Sequence, residues 1–272
     1  MCWFCCTYFL IYTRGKKDLK KIIYYSDQKD DVVFSKKQDY KLPEDYKWDN
    51  ESFAFRTISR LLYPLFVLFA FFYCPLILRE RVIGKEKLPK GGGYFIYSNH
   101  TQPVGDAFTP SWILRGKRVV IPASAANLGI PVLGRLLPYL GALPVPAARS
   151  SLKQMSEFRR AIEKRVQRGD IAVIYPEAHV WPYYTEIRGF DSAAFTYPVS
   201  LKTPVYAMTS TYQKSGKREK PAITIYIDGP FYPGTDAGKR TQKEDLMKQV
   251  RETMLERSKE STYVYYQYTL RR

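Results

Sequence analysis

A chain of 272 residues with 45% apolar side chains is long enough for one large domain, or one domain with appendages, and too apolar for a disordered tail. Its 43 Lys and Arg outweigh 26 Asp and Glu, a formal net charge of +17, which favours anionic partners such as nucleic acid, anionic lipid or phosphorylated substrates. Charge alone does not choose among them.

In chain order, residues 1–60 read as a leader followed by a small hairpin or extended flank. The leader Cys2-Trp3-Phe4-Cys5-Cys6 runs apolar to Tyr12. It is too short to span a bilayer, and it lacks a basic N-terminal region and a small-residue cleavage site, so it does not read as a secretory signal. An interfacial anchor, an acylation site and residues upstream of the true start all remain open. With Cys74 these cysteines have no metal-ligand spacing, and a reduced set suits a cytoplasm-facing protein. Lys21–Tyr25 and Val32–Phe34 flank the polar cluster Ser26–Asp31, the pattern of a hairpin or extended flank.

Residues 61–78 contain no charged side chain and lie between Arg60 and Arg79-Glu80-Arg81, so we place an apolar membrane-associating segment at 61–82. A spanning helix needs roughly 20 apolar residues, but Pro64 and Pro75 each remove a helix hydrogen bond. A kinked, partly embedded hairpin therefore stands beside a clean crossing. No face carries a polar stripe, which disfavours a buried core helix.

Lys85–Gly93 reads as a linker, and residues 83–272 as an α/β domain. Strand-like runs at 94–97, 118–121, 141–145, 171–175, 204–208 and 223–227 alternate with helical ones. Ser151 caps a helix with apolar positions Leu152, Met155, Phe158, Ile162 and Val166, ending near Gly169. A charged helix spans 240–260 with Leu246, Val250, Met254 and Leu255 on one side, and Tyr263–Tyr266 form an edge strand or an interfacial strip. The predicted fold is a mixed, largely parallel sheet flanked by helices, with the apolar anchor before it.

In such a sheet, active groups collect where strands end. His100, one of two histidines, follows the first strand, and Asp106 lies six positions on. If the chain turns after His100, the carboxylate can bond one ring nitrogen and leave the other free as a base. Arg149 follows the third strand, and Pro176-Glu177-Ala178-His179 follows Tyr175. Three readings use these groups. The first is proton-abstracting catalysis by His100 and Asp106. The second is a divalent-metal hydrolase built on His100, Asp106, Glu177 and His179. The third is a lipid-binding protein without turnover. Nucleic-acid binding is not expected, because the basic residues interleave with an anchor instead of a recognition motif.

Four blocks in order resemble the glycerophospholipid acyltransferase family over about residues 93–212: Asn99-His100 with Asp106, Gly141 through Arg149, Tyr175-Pro176-Glu177, and Thr203-Pro204-Val205. The resemblance implies a fatty acyl transfer from a thioester to the hydroxyl of a lysophospholipid such as lysophosphatidic acid. His100 would be the general base, Asp106 its orienting acid, Arg149 the phosphate ligand and Glu177 a shaper of the acceptor site. Asn99, Thr101, His179 and Arg188 are the other residues assigned to substrate binding. No cofactor or metal is implied; acyl-CoA or an acyl-carrier protein would be co-substrate and partner, and the enzyme would sit in membrane lipid at the cytoplasmic face.

The sequence departs from the family pattern in three places. Five residues separate His100 from Asp106 where the family has four. In a helix the extra residue would rotate the carboxylate by roughly 100°, so Pro103 and Gly105 must absorb it in a turn, with Thr109-Pro110 then opening the next helix. Arg149 is displaced by two positions. Ala178-His179-Val180 replaces Gly-Thr-Arg, and Arg188, or Lys and Arg elsewhere, is expected to supply the missing charge.

Overall fold

The structure, a computed structural model, describes residues 22–33, 40–147, 149–235 and 238–271. The cysteines of the leader lie outside the described residues. The elements in chain order are β1 (Ile22–Tyr25), α1 (Phe53–Phe72), β2 (Glu80–Ile83), β3 (Tyr94–Ser98), α2 (Gly105–Ile113), β4 (Val119–Ser124), α3 (Leu133–Leu136), β5 (Ala142–Val145), α4 (Leu152–Gln167), β6 (Ile171–Ile174), α5 (Thr196–Leu201), β7 (Val205–Ser215), β8 (Arg218–Phe231), α6 (Lys239–Ser258) and β9 (Gln267–Leu270).

Seven strands form one sheet in the order β2-β8-β7-β3-β6-β4-β5. Every pairing is parallel except β7 with β8. The fold is therefore the mixed, largely parallel α/β arrangement that the sequence predicts. β3 is the central strand and is buried throughout. Alternation splits its side chains between two cores: Phe95 and Tyr97 face α4 and α6 with Phe158, Ile162 and Val250, while Tyr94 and Ile96 join Ile113, Val173 and Ile225 on the other side. Both faces being covered makes the register hard to slip, which fixes where β3 ends.

The cap expected at Ser151 is present and takes the form of a capping box. Its hydroxyl accepts from the Gln154 amide, and the Gln154 side chain accepts from the Ser151 amide. Leu152 and Met155 point to solvent, contrary to the periodicity reading, because the sheet is reached only from Phe158 onward.

The apolar segment starts earlier than Leu61. Phe53 to Phe72 is helical through Pro64, widens into π-helical turns over Tyr73–Leu78, and stops at Arg79, whose φ of 54° turns the chain into β2. It is one continuous rod of 26 residues and not a hairpin. Ser59, Tyr63, Ala70 and Cys74, spaced near helical repeats, face the domain. Leu61, Leu65, Leu68, Phe72, Leu76 and Ile77 are exposed. Glu80–Ile83, which follow the rod directly, are part of the sheet.

Ile22–Tyr25 pairs in parallel with Gln267–Leu270, so it is not an arm of a hairpin with Val32 and Val33. The C-terminal strand accordingly lies four residues beyond the Tyr263 start expected for it.

Candidate active site

β3, β6, β4 and β5 run parallel, so their C-terminal ends share one edge of the sheet. The turn after β3 places His100 there, half-buried, with Nδ1 2.6 Å from Asp106 Oδ2. The extra residue between them is absorbed as predicted in kind: residues 101–104 turn, and the helix starts at Gly105 so that Asp106 lies in its first turn. Thr109-Pro110 does not open this helix; Pro110 sits inside it. A proline lacks the N–H that would bond the carbonyl four residues back, here that of Asp106. The Tyr175 hydroxyl donates to that oxygen instead, at 2.7 Å. The same ring stacks on His100 with centroids 4.4 Å apart.

Asp106 Oδ2 also accepts the Gln102 amide at 3.0 Å. Burial raises the Asp106 carboxyl above its ordinary range, opposed by the hydrogen bond and charge of His100. The helix N-terminus adds further support for a carboxylate. With Asp106 ionised, Nδ1 carries the proton and Nε2 keeps its lone pair, the tautomer a general base requires.

The remaining predicted residues divide by exposure. Asn99 is buried and closes a two-way bridge with Ser210 on β7, accepting its N–H at 2.8 Å and donating to its carbonyl at 3.0 Å. Thr101 is buried and accepts from the Tyr212 hydroxyl at 2.7 Å. Both are buried and tie the His100 turn to β7.

Glu177 is also interior. It accepts the His100 backbone N–H at 3.1 Å, the Arg188 backbone N–H at 3.0 Å and the Arg188 guanidinium at 3.0 Å. Arg188 is 1% exposed, lies over the Trp181 ring, and also donates to the Gln28 and His179 carbonyls. The Arg188 guanidinium is thus interior, beside the third block, and is paired with Glu177. Backbone pairs Trp181 N–H to His100 C=O and Tyr183 N–H to Thr101 C=O complete the clamp.

His179 is more exposed, with Nδ1 3.6 Å from Asp31 Oδ2. Arg149 is exposed in the turn between β5 and α4. The strand it follows, β5, ends on the same sheet edge as β3 and three strands from it, roughly 14 Å at ordinary strand spacing. Among the described residues no three His, Cys, Asp or Glu side chains converge as metal ligands. The four-residue hydrolase reading therefore lacks a cluster.

Tyr175, Gln102 and Ser210 escaped the sequence reading as site residues. Tyr175 carried a usable signal, since a tyrosine at a strand end opposite a helix-interior proline can replace the lost N–H. Ala178 takes a left-handed φ of 64° in this loop, at the position where the resembled block has glycine.

Residues 79–211, which hold β2 through most of β7 and the whole His100 clamp, match the acyltransferase family. No curated protein matches the chain. Among solved structures, the chain is similar to the 1-acyl-sn-glycerophosphate (LPA) acyltransferase of Thermotoga maritima, at 13% identity and a TM-score of 0.48, covering 76% of this chain and 100% of that one. A weaker likeness is to the pilus retraction motor PilT with bound ADP, at 8% identity and a TM-score of 0.27, over 64% of this chain and 60% of the other. Residues 79–211, just under half of the chain, thus form an acyltransferase domain.

Proposed function

We propose that this acyltransferase moves a fatty acyl group from a thioester, acyl-CoA or acyl-carrier protein, to the free hydroxyl of a lysophospholipid such as lysophosphatidic acid. The observation that carries this reading is the 2.6 Å bond between His100 Nδ1 and Asp106 Oδ2 in the turn that follows the central strand. His100 Nε2 takes the proton of the acceptor hydroxyl as that oxygen attacks the thioester carbonyl. Asp106 holds the tautomer and stabilises the imidazolium, and the thiolate leaves with the returned proton. No acyl-enzyme and no cofactor is needed. Arg149, exposed on the same edge, is the candidate ligand for the acceptor phosphate through paired charge-assisted bonds.

The apolar rod Phe53–Leu78 supports a lipid-embedded enzyme: it is long and apolar enough to cross a bilayer, and one face is left uncovered by protein. Its domain face packs on α2, the helix that carries Asp106, so the site sits beside the lipid from which an acceptor would arrive. We place the domain at the cytoplasmic face, where acyl-CoA and acyl-carrier protein are found.

The test supplies membranes containing the expressed protein with a labelled acyl thioester and a panel of lysophospholipids differing in headgroup. Labelled diacyl product from an acceptor bearing a phosphate, above membranes lacking the protein, is the expected result. Hydrolysis of the thioester with no transfer to any acceptor would overturn it.

A further inference from the structure

Behind Asp106 lies a second carboxyl that the mechanism does not use. Glu80, the first residue of β2, is 5% exposed. Its Oε1 accepts the Thr109 hydroxyl of α2 at 2.6 Å, while Oε2 has no hydrogen-bond partner of proper geometry. The Gln102 side chain adjoins this carboxyl. Gln102 donates its amide N–H₂ to Ser210 Oγ at 3.0 Å and leaves its own Oε1 buried without a donor. Glu80 Oε2 and Gln102 Oε1 are thus neighbouring buried oxygens without a well-aligned partner, the Cys74 thiol being the further donor that reaches the Glu80 carboxyl, and each is costly as it stands. One proton on Glu80 satisfies both.

We propose that Glu80 works as a neutral carboxylic acid, donating to the Gln102 carboxamide oxygen and thereby positioning the Gln102 backbone that holds Asp106 against His100. This rests on the general-base reading above. The chain of contacts is continuous: Glu80 to Gln102, the Gln102 amide to Asp106 Oδ2 at 3.0 Å, and Asp106 to His100 at 2.6 Å. Gly105 leaves the room this requires, since a Cβ there would stand 1.8 Å from Gln102 Oε1.

The groups around Glu80 are the Asp106 carboxylate from α2, the Cys74 thiol from the end of the apolar rod and the Tyr175 phenol from the end of β6. None is a cation. Burial, with the Asp106 charge adding to it, pushes the Glu80 carboxyl up to about 7. Ionising Glu80 would set a second anion beside Asp106 and remove the donor to Gln102.

The test compares Glu80→Gln and Glu80→Leu with wild type in full-length, membrane-embedded protein. Glu80→Gln supplies a permanent N–H donor of the same shape, so it should keep kcat within about threefold at pH 6. It should also lose the part of the alkaline decline in kcat that Glu80 ionisation causes. Glu80→Leu should lower kcat at least tenfold with KM for the acceptor nearly unchanged. Glu80→Gln as impaired as Glu80→Leu, or a wild-type alkaline limb unchanged in Glu80→Gln, would overturn the proposal. An infrared difference spectrum between wild type and Glu80→Gln at pH 6 reads the same point without substrate. A protonated carboxylic acid band lost in the variant is expected, and only a carboxylate band refutes the idea. That spectrum stands even if no acceptor is acylated, which separates failure of this inference from failure of the acyltransferase chemistry.

Discussion

Removing one hydroxyl from Tyr175 tests how the fold holds its acid in place. Pro110 deprives the Asp106 carbonyl of its helical N–H, and the Tyr175 hydroxyl replaces it at 2.7 Å. Burial keeps that phenol protonated, with a pKa well above its ordinary value, so it donates at any working pH. Tyr175→Phe keeps the ring stacked on His100 and leaves a buried carbonyl without a donor, a cost of about 1 to 3 kcal/mol. If about 1 kcal/mol of that reaches the reaction barrier, kcat falls about fivefold. Pro110→Ala restores the backbone N–H. On the wild-type background it should change little, because the carbonyl is already served. On the Tyr175→Phe background it should recover about 1 kcal/mol or more. A double-mutant cycle measured by thermal unfolding and by kcat reads that coupling directly. Strict additivity of the two changes, or a neutral Tyr175→Phe, would refute the reasoning.

Three further outcomes follow from the same geometry. Ala178→Gly relieves a left-handed φ of 64° and should raise stability by about 1 kcal/mol, seen as a higher Tm with unchanged kcat. Arg188→Met strands Glu177 as an uncompensated buried charge and should cost roughly 3 to 5 kcal/mol by denaturant unfolding. Adding Glu177→Gln should return part of that loss, since it removes the stranded charge while its one carbonyl oxygen still accepts one of the two backbone N–H groups, that of His100 or of Arg188. Glu80 binds its proton more tightly in the fold, at about 7, than in the unfolded chain, at about 4.5. Its contribution is therefore complete below pH 4.5 and lost as pH rises through 7, a change of up to roughly 3 kcal/mol that Glu80→Gln should flatten in unfolding curves taken across that range.

The sequence carried the sheet well because its strands are buried on both faces and read as unbroken apolar runs, as Tyr94–Ser98 and Ile171–Ile174 do. It missed the extent of β7 and β8: Thr209–Thr211 are buried yet polar, and the hairpin tip, Gln213–Ser215 and Arg218–Lys220, is polar and stands clear of the core. It also missed the pairing of β1 with β9, a contact across nearly the whole chain that no local pattern encodes. At the site, His100 and Asp106 were legible because the residue types are scarce and the spacing is short. Burial was not. Asn99, Thr101, Glu177 and Arg188 were legible as polar residues of the matching blocks and their surroundings, but their hydrogen bonds to Ser210, Tyr212, the His100 backbone and one another depend on contacts across the fold. Glu80 was hidden for the opposite reason: beside Arg79 and Arg81 it looks like a solvated flank of the apolar rod, and only the pairing of β2 with β8 takes it inside.

The most direct measurement is the turnover of His100→Ala on whichever acceptor the wild type acylates, in membranes where both proteins unfold at the same temperature. Loss of the imidazole should remove about 10²- to 10⁴-fold of kcat while the acceptor KM moves little. A folded His100→Ala enzyme that transfers acyl groups at near wild-type rate would contradict the account.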